Sequence, residues 1–385
     1  MSSDAQREYR IALTVRYRNA SKKMKGRILD EYCATTHYNR KHAIWLLGRP
    51  ALRSKHPGRP KVYSAVAVIQ LRQLWAKMNG MNSKGMVAAL PIWLRFYDCP
   101  APIKKELLSI SAATIDRKLK PYRSTLKRNR RSGTRPGQML RHQIPIKPFD
   151  QKITKPGFIE GDTVAHCGGS LAGDFAWSLT CTDILSGWTE VRAMWNKNAT
   201  SAVGCIREIE KCLPFSIYAF NSDNGSEFIN HELVKYFGPD GEKERLHQLM
   251  TRSREYKKND NCHVEQKNWT HVRQLFGYRR VDRPELVDLM NDIYRVEQSL
   301  LQNFFIPQIK LKTKCRVGSK YKRTYTEPKT PYQILQESDQ ISEQTKTNLQ
   351  NLYESLNPFS LKASLDQKLQ RFFKSFTQIS ERKAA

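Results

Sequence analysis

The chain has 385 residues, enough for two or three domains, and its 39% hydrophobic and 10% aromatic content can build packed cores, which excludes a disordered polymer. Its 66 Lys and Arg against 36 Asp and Glu leave a net charge of +30, an excess that points to a polyanionic partner. No stretch approaches the roughly 18–20 apolar residues of a membrane span, and the opening MSSDAQREYR has no hydrophobic signal region. The eight cysteines are scattered without a CxxC pair, and His166-Cys167 and Cys262-His263 lack zinc-finger spacing, so reduced thiols and a cytoplasmic location are expected, with no membrane.

Residues 1 to about 128 read as mostly helical. In KGRILDEYCATTHYNRKHAIWLLGRP, Ile28, Leu29 and Tyr32 form one apolar face and residues 34–37 are expected to turn. Asn39 then caps a second helix carrying Ala43, Ile44, Leu46 and Leu47. Arg40, Lys41 and His42 lie at the N-terminal end of that helix, the end a recognition helix presents to base edges and phosphates. The same pattern fits a plain helical hairpin with a solvated basic face. Arg59 and Lys61 belong to a Pro/Gly-rich stretch that reads as a linker able to track a phosphate backbone. A second helical group starts at Ser64, ends its first helix at Gly80, restarts at Asn82-Ser83 and breaks at Pro100 and Pro102. A short helix, a turn at 109–111 and a helix exposing Arg117 and Lys118 follow, giving a second helix-turn-helix-like unit. Residues 127–148 are basic and rich in Gly and Pro, as linkers are.

From Phe158 the period changes. FIEGDTV, FAWSLTCTDI and WTEVRAMW read as strands, the last two joined by a turn at 185–187. A helix (TSAVGCIREIEKCL), a strand (FSIYAFNSD), a helix (EFINHELVKYF), a short strand (RLHQLMTR) and a helix (CHVEQKNWTHVRQLFG) follow. The order βββαβαβα predicts an RNase H-like mixed sheet. The basic alternation at 310–323 precedes a tail expected to be helical over 341–384. The fold class expected is multidomain α and α/β. Residues 1–60 form a helix-turn-helix DNA-binding unit and linker, 61–128 a second such unit, 129–152 a basic linker, 153–305 the RNase H-like core, and 306–385 a basic C-terminal extension with helices.

Asp162 and Asp223 lie at the ends of strand-like runs, and Glu265 lies near the start of a helix-like run. An Asp in GDT or SDNG is also a common turn residue, and Glu265 also fits an exposed helix glutamate. Their joint placement in one fold order singles them out. Three carboxylates gathered in such a chain suit divalent metal ions, and two Mg²⁺ or Mn²⁺ ions roughly 3.5–4 Å apart can stabilise both oxygens of a phosphodiester exchange. Asp162 would bridge the ions, with Asp223 on one and Glu265 on the other.

The segment from about 158 to 305 resembles the catalytic core of DDE transposases and retroviral-type integrases, through Asp162 in GDTV, Asp223 in SDNGSEF and Glu265 in NCHVEQKN. The tail KCRVGSKYKRTYTEPKTPYQ and the preceding helix-turn-helix units look like the bacterial insertion-sequence branch. The resemblance implies a DNA transposase that binds the terminal inverted repeats of a mobile element, hydrolyses the phosphodiester at its end and transfers the strand to target DNA. It further implies a homo-oligomer in the active complex and a bacterial, nucleoid-associated location. Asp223 and Glu265 are 42 positions apart, wider than the family's usual gap. Trp269 and Val272 stand where relatives often carry lysines, leaving Lys267, His271 and Arg273, with Lys257 and Lys258 of the preceding loop, as DNA contacts. The alternatives are a catalytically inactive DNA-binding regulator and an RNase H-like nuclease.

Overall fold

The computed structural model describes residues 3–49, 63–123, 153–222, 236–237, 249–252 and 262–384. The chain divides into two compact units, Met1–Val62 and Tyr63–Ala385. Among the described residues no helix is long and apolar enough to cross a membrane.

The first unit holds α1 (Ser3–Asn19), α2 (Lys22–Thr36) and α3 (Arg40–Gly48). Leu13, Tyr17, Ile28, Leu29, Tyr32, Ala43 and Leu47 close around one another as its core. The Ser21 and Asn39 side chains accept from the Met24 and Lys41 backbone N–H groups, capping α2 and α3. The turn comes later than the sequence suggests. The hydroxyls of Thr35 and Thr36 donate back to the carbonyls of Glu31 and Tyr32, the helix runs on, and His37 ends it in the left-handed region at φ 60°. Ile44 lies on the exposed side of α3 beside Trp45, outside the core.

The second unit begins with α4 (Ala65–Lys77), α5 (Ser83–Trp93), α6 (Ala101–Leu108) and α7 (Ala112–Arg123). Ser64 and Asn82 cap the first two as their sequence positions predict. The five strands β1 (Phe158–Ala165), β2 (Ala176–Asp183), β3 (Thr189–Trp195), β4 (Ala219–Ser222) and β5 (Leu249–Arg252) form one sheet in the order β3-β2-β1-β4-β5. β1, β2 and β3 are antiparallel neighbours, whereas β4 is parallel to β1 and β5 to β4. This mixed sheet fits an RNase H-like α/β core and makes β1 its central strand. The helix α8 (Ala199–Cys212) crosses from β3 to β4. The helix expected over 227–237 lies outside the described residues except for its last two, Tyr236 and Phe237, which are buried.

The alternation of β1 sorts its side chains between two faces. Ile159 packs with Val203, Ile206 and Ile209 of α8. Val164 joins the larger core that includes Val272 and Leu275. Those two residues belong to α9 (262–276), built from Cys262–Lys267, a π-helical stretch Asn268–Arg273, and Gln274–Phe276. The next rod, α10 (285–305), likewise contains a π-helical stretch, Tyr294–Gln298. After it come the hairpin strands β6 (Leu311–Val317) and β7 (Lys320–Tyr325), then α11 (Pro331–Gln336), α12 (Glu343–Ser355) and α13 (Pro358–Ala384).

Gly161 has a specific reason to be glycine. A Cβ there would stand 2.4 Å from the Phe220 ring of β4. That ring is buried and stacks on Phe237 at 5.2 Å, so it has little room to yield. Gly161→Ala is therefore expected to destabilise the fold by about 1–3 kcal/mol through overpacking, read as a lower denaturation midpoint with an unchanged slope.

Candidate active site on the central strand

Glu160 and Asp162 are two apart on β1, and both reach α9. Glu160 is buried, and its Oε2 accepts from the backbone N–H groups of His263 and Val264 at 3.0 and 3.1 Å. The first N–H groups of a helix have no intrahelical acceptor, and a carboxylate there also meets the positive end of the helix dipole. Glu160 therefore ties the start of α9 to the central strand. Burial pushes its carboxyl up to about 8; the two N–H groups oppose this, and the charges of Glu265 and Asp162 add to it. Glu160→Ala would leave the two N–H groups of His263 and Val264 without their acceptor, at a cost of about 1–3 kcal/mol. Glu160→Gln keeps an acceptor oxygen in place and is expected to hold most of that stability, and comparing the two denaturation midpoints checks the cap.

Asp162, opposite Thr180 in the sheet register, is partly buried. Its Oδ2 accepts from Asn268 Nδ2 at 2.6 Å and its Oδ1 from the Thr163 backbone N–H at 2.7 Å. Asn268 opens the π-helical stretch of α9, a distortion common where a helix carries function. Its own Oδ1 is buried and has no hydrogen-bond partner among the described residues. Glu265 lies just before it on α9 and is exposed. Glu265, Asn268, Trp269 and Arg273 line a cavity of about 980 Å³ with Thr163 of β1 and Tyr278. Arg273 bridges elements there: its guanidinium donates to the carbonyls of Ala165 and Gly277 and lies over the Tyr278 ring.

The structure thus brings Asp162 and the helix of Glu265 together. Asp223 lies outside the described residues, as do Arg59, Lys61, Lys257 and Lys258. The last described residue before Asp223, Ser222, pairs with Gly161. Among the described residues no group of three His, Cys, Asp or Glu side chains is placed to hold a metal ion. Lys267 does not line the Glu265 cavity. Lys267 and His271 are buried and line, with the half-buried His263 and Lys310, a separate cavity of about 650 Å³, and burial, then the Lys310 charge, pushes the Lys267 ammonium down to about 7. In the first unit Arg40, Lys41 and His42 are exposed, with Arg40 paired to Asp30 and His42 stacked on Trp45. Arg117 and Lys118 are exposed on α7.

Two other buried acids are structural. Asp183 accepts from the Gly157 and Ser186 backbone N–H groups and the Ser186 hydroxyl, pinning the β2–β3 turn to the entrance of β1. Glu190 accepts from Trp188 Nε1 and the Ser299 hydroxyl. Sequence reasoning missed Glu160, Asn268 and the bridging of Arg273. The available signal for Glu160 was its spacing of two from Asp162, which puts both on one face of a strand.

No protein-family model matches the chain. The uncharacterized protein y4rM of Sinorhizobium fredii (strain NBRC 101917 / NGR234) is 33% identical over 331 residues, spanning 83% of this chain and 92% of that protein. The chain belongs to the y4rM family. Among solved structures, the HTLV-2 integrase catalytic core domain in complex with magnesium (dimeric form) is 15% identical, covering 40% of this chain and 90% of that one with a TM-score of 0.28. The catalytic core domain of BIV integrase is 14% identical, covering 48% and 95% with a TM-score of 0.30.

Proposed function

We propose that this y4rM-family chain is a DNA transposase: a polynucleotidyl transferase that binds the ends of a mobile element, hydrolyses a phosphodiester there and transfers the freed strand to target DNA. The observation that carries this reading is Asp162 on the central strand, held at 2.6 Å by Asn268 of the helix that also bears Glu265. Around these residues the donors are oxygens: the two carboxylates and the Oδ1 of Asn268, which has no partner among the described residues. Hard oxygen donors of this kind fit Mg²⁺ or Mn²⁺.

Asp162, Asp223 and Glu265 would hold two such ions. When bound, they supply Lewis-acid stabilisation of the attacking and leaving oxygens. Asn268 orients the Asp162 carboxylate. Glu160 fixes the start of α9, and Arg273 secures its far end against β1. Trp269, on the cavity wall, offers a ring face for an unpaired base at a DNA end. Arg40, Lys41, His42, Arg117 and Lys118 supply phosphate or base contacts from helix ends and faces, with Arg59, Lys61, Lys257 and Lys258 from the connecting segments. Joining two element ends requires a homo-oligomer, acting on duplex DNA in the bacterial cytoplasm.

The test is incubation of the full chain with duplexes carrying the DNA that flanks its gene, with Mg²⁺, with Mn²⁺ and with chelator. Metal-dependent nicking at a defined end and joining to a second duplex are expected. End binding without cleavage would favour the regulator, and cleavage of RNA in hybrids without end preference would favour the nuclease.

A further inference from the structure

The hairpin β6–β7 is exposed at every one of its strand residues. It projects from an anchored base. Lys310 and Thr326 exchange hydrogen bonds, the Lys310 ammonium donates to the carbonyls of Ile184 and Leu185, and Lys84 lies 5.3 Å from the Tyr325 ring. Its far end turns at Gly318-Ser319, with Gly318 at φ 60°. A two-stranded hairpin with no packed face is marginally stable in water, and this one carries an added penalty. Lys314 stands directly opposite Arg323 in the register, an arrangement of like charges that destabilises a strand pair. Arg316, two residues from Lys314, shares its face, across from Tyr321, whose ring lies 4.9 Å from the Lys314 ammonium. Lys320 and Lys322 point from the opposite face, and no acidic residue occurs between 310 and 326.

A polyanion laid along the ribbon turns that repulsion into attraction. Among polyanions, duplex DNA has a groove of matching size: the major groove is about 12 Å wide and admits a two-stranded β-ribbon. At about 3.3 Å per residue the ribbon reaches roughly 20 Å from its base, far enough to lie along the groove while its flanking cations meet phosphates. We propose that β6–β7 is a DNA-binding ribbon that enters the major groove of the duplex, with the face bearing Lys314, Arg316, Tyr321 and Arg323 toward the bases. This rests on the reading of the chain as a DNA-processing protein and adds to it a second recognition element outside the helical units.

The experiment compares the full chain with K314Q/R316Q/K322Q/R323Q and with the charge-preserving K314R/R316K/K322R/R323K, titrating a fluorescent duplex over a range of salt concentrations. Removing these four cations should weaken binding on the order of tenfold or more near physiological salt and flatten the slope of log affinity against log salt by about 0.9 for each of them that neutralises a phosphate. The charge-preserving variant should recover most of the affinity, which excludes misfolding as the cause. Unchanged affinity and slope in the glutamine variant would overturn the proposal, as would a loss confined to RNA or to an acidic polypeptide. End cleavage is scored separately. A wild-type chain that binds duplex through the ribbon and cleaves nothing upholds the ribbon and sinks the transposase reading; one that cleaves while both variants bind equally well does the reverse.

Discussion

Asp162→Asn is expected to abolish metal-dependent strand cleavage while leaving DNA binding near its wild-type level. The substitution keeps the shape of the side chain and one of the two oxygens that accept from Asn268 and the Thr163 N–H, so the strand and α9 are expected to keep their places. What is lost is one negative charge at the place where cations would be held. Metal-assisted stabilisation of transferring phosphoryl oxygens is worth several kcal/mol, so a loss of roughly three orders of magnitude or more in cleavage rate follows. Glu265→Gln should behave in the same way. Asn268→Ala should be milder, about 10–100-fold, because it removes an orienting partner and leaves both carboxylates. Cleavage is followed on end-labelled duplexes with binding measured in parallel. Wild-type cleavage by Asp162→Asn would remove Asp162 from the chemistry.

How much of this site the sequence revealed depends on the range of each signal. Asn39, Ser64 and Asn82 were legible as caps because a cap is a bond across two or three residues. The place of Asp162 on the first strand was legible through the apolar run before it and the glycine beside it, and that glycine proves to accommodate the Phe220 ring of the neighbouring strand. Glu160 and Asn268 were not legible, since their roles depend on α9 lying across β1, more than 100 residues apart in the chain. Lys267 misled for a related reason: a lysine two residues from Glu265 looks available for phosphate, but helical geometry turns it toward a different cavity. The ribbon 311–325 read as a basic stretch because the hydrophobic alternation that reveals a strand is absent when neither face is buried.

The same limit applies to the second helical group, whose internal pattern suggests a free-standing unit, and Trp93→Ala tests what it is. Trp93 is fully buried at the end of α5; its Nε1 donates to the Phe305 carbonyl at the end of α10 at 3.0 Å, and its ring meets Phe359 of α13 edge-on at 5.1 Å. One side chain thus joins the segment before the sheet to the rod that follows α9 and to the C-terminal helix, within a core shared by Leu90, Tyr294 and Leu365. Truncating a buried aromatic of this size costs about 3–5 kcal/mol, and the Phe305 carbonyl loses its donor as well. Because the core is continuous, the loss should fall on the sheet too: one unfolding transition shifted to lower denaturant, with amide-exchange protection falling together in α5, β1 and β2. An independent 63–123 unit would instead melt early and leave the protection of β1 at its wild-type value. A shared transition also bears on the chemistry, because α9, which carries Glu265 and Asn268, packs Val272 and Leu275 into that same core.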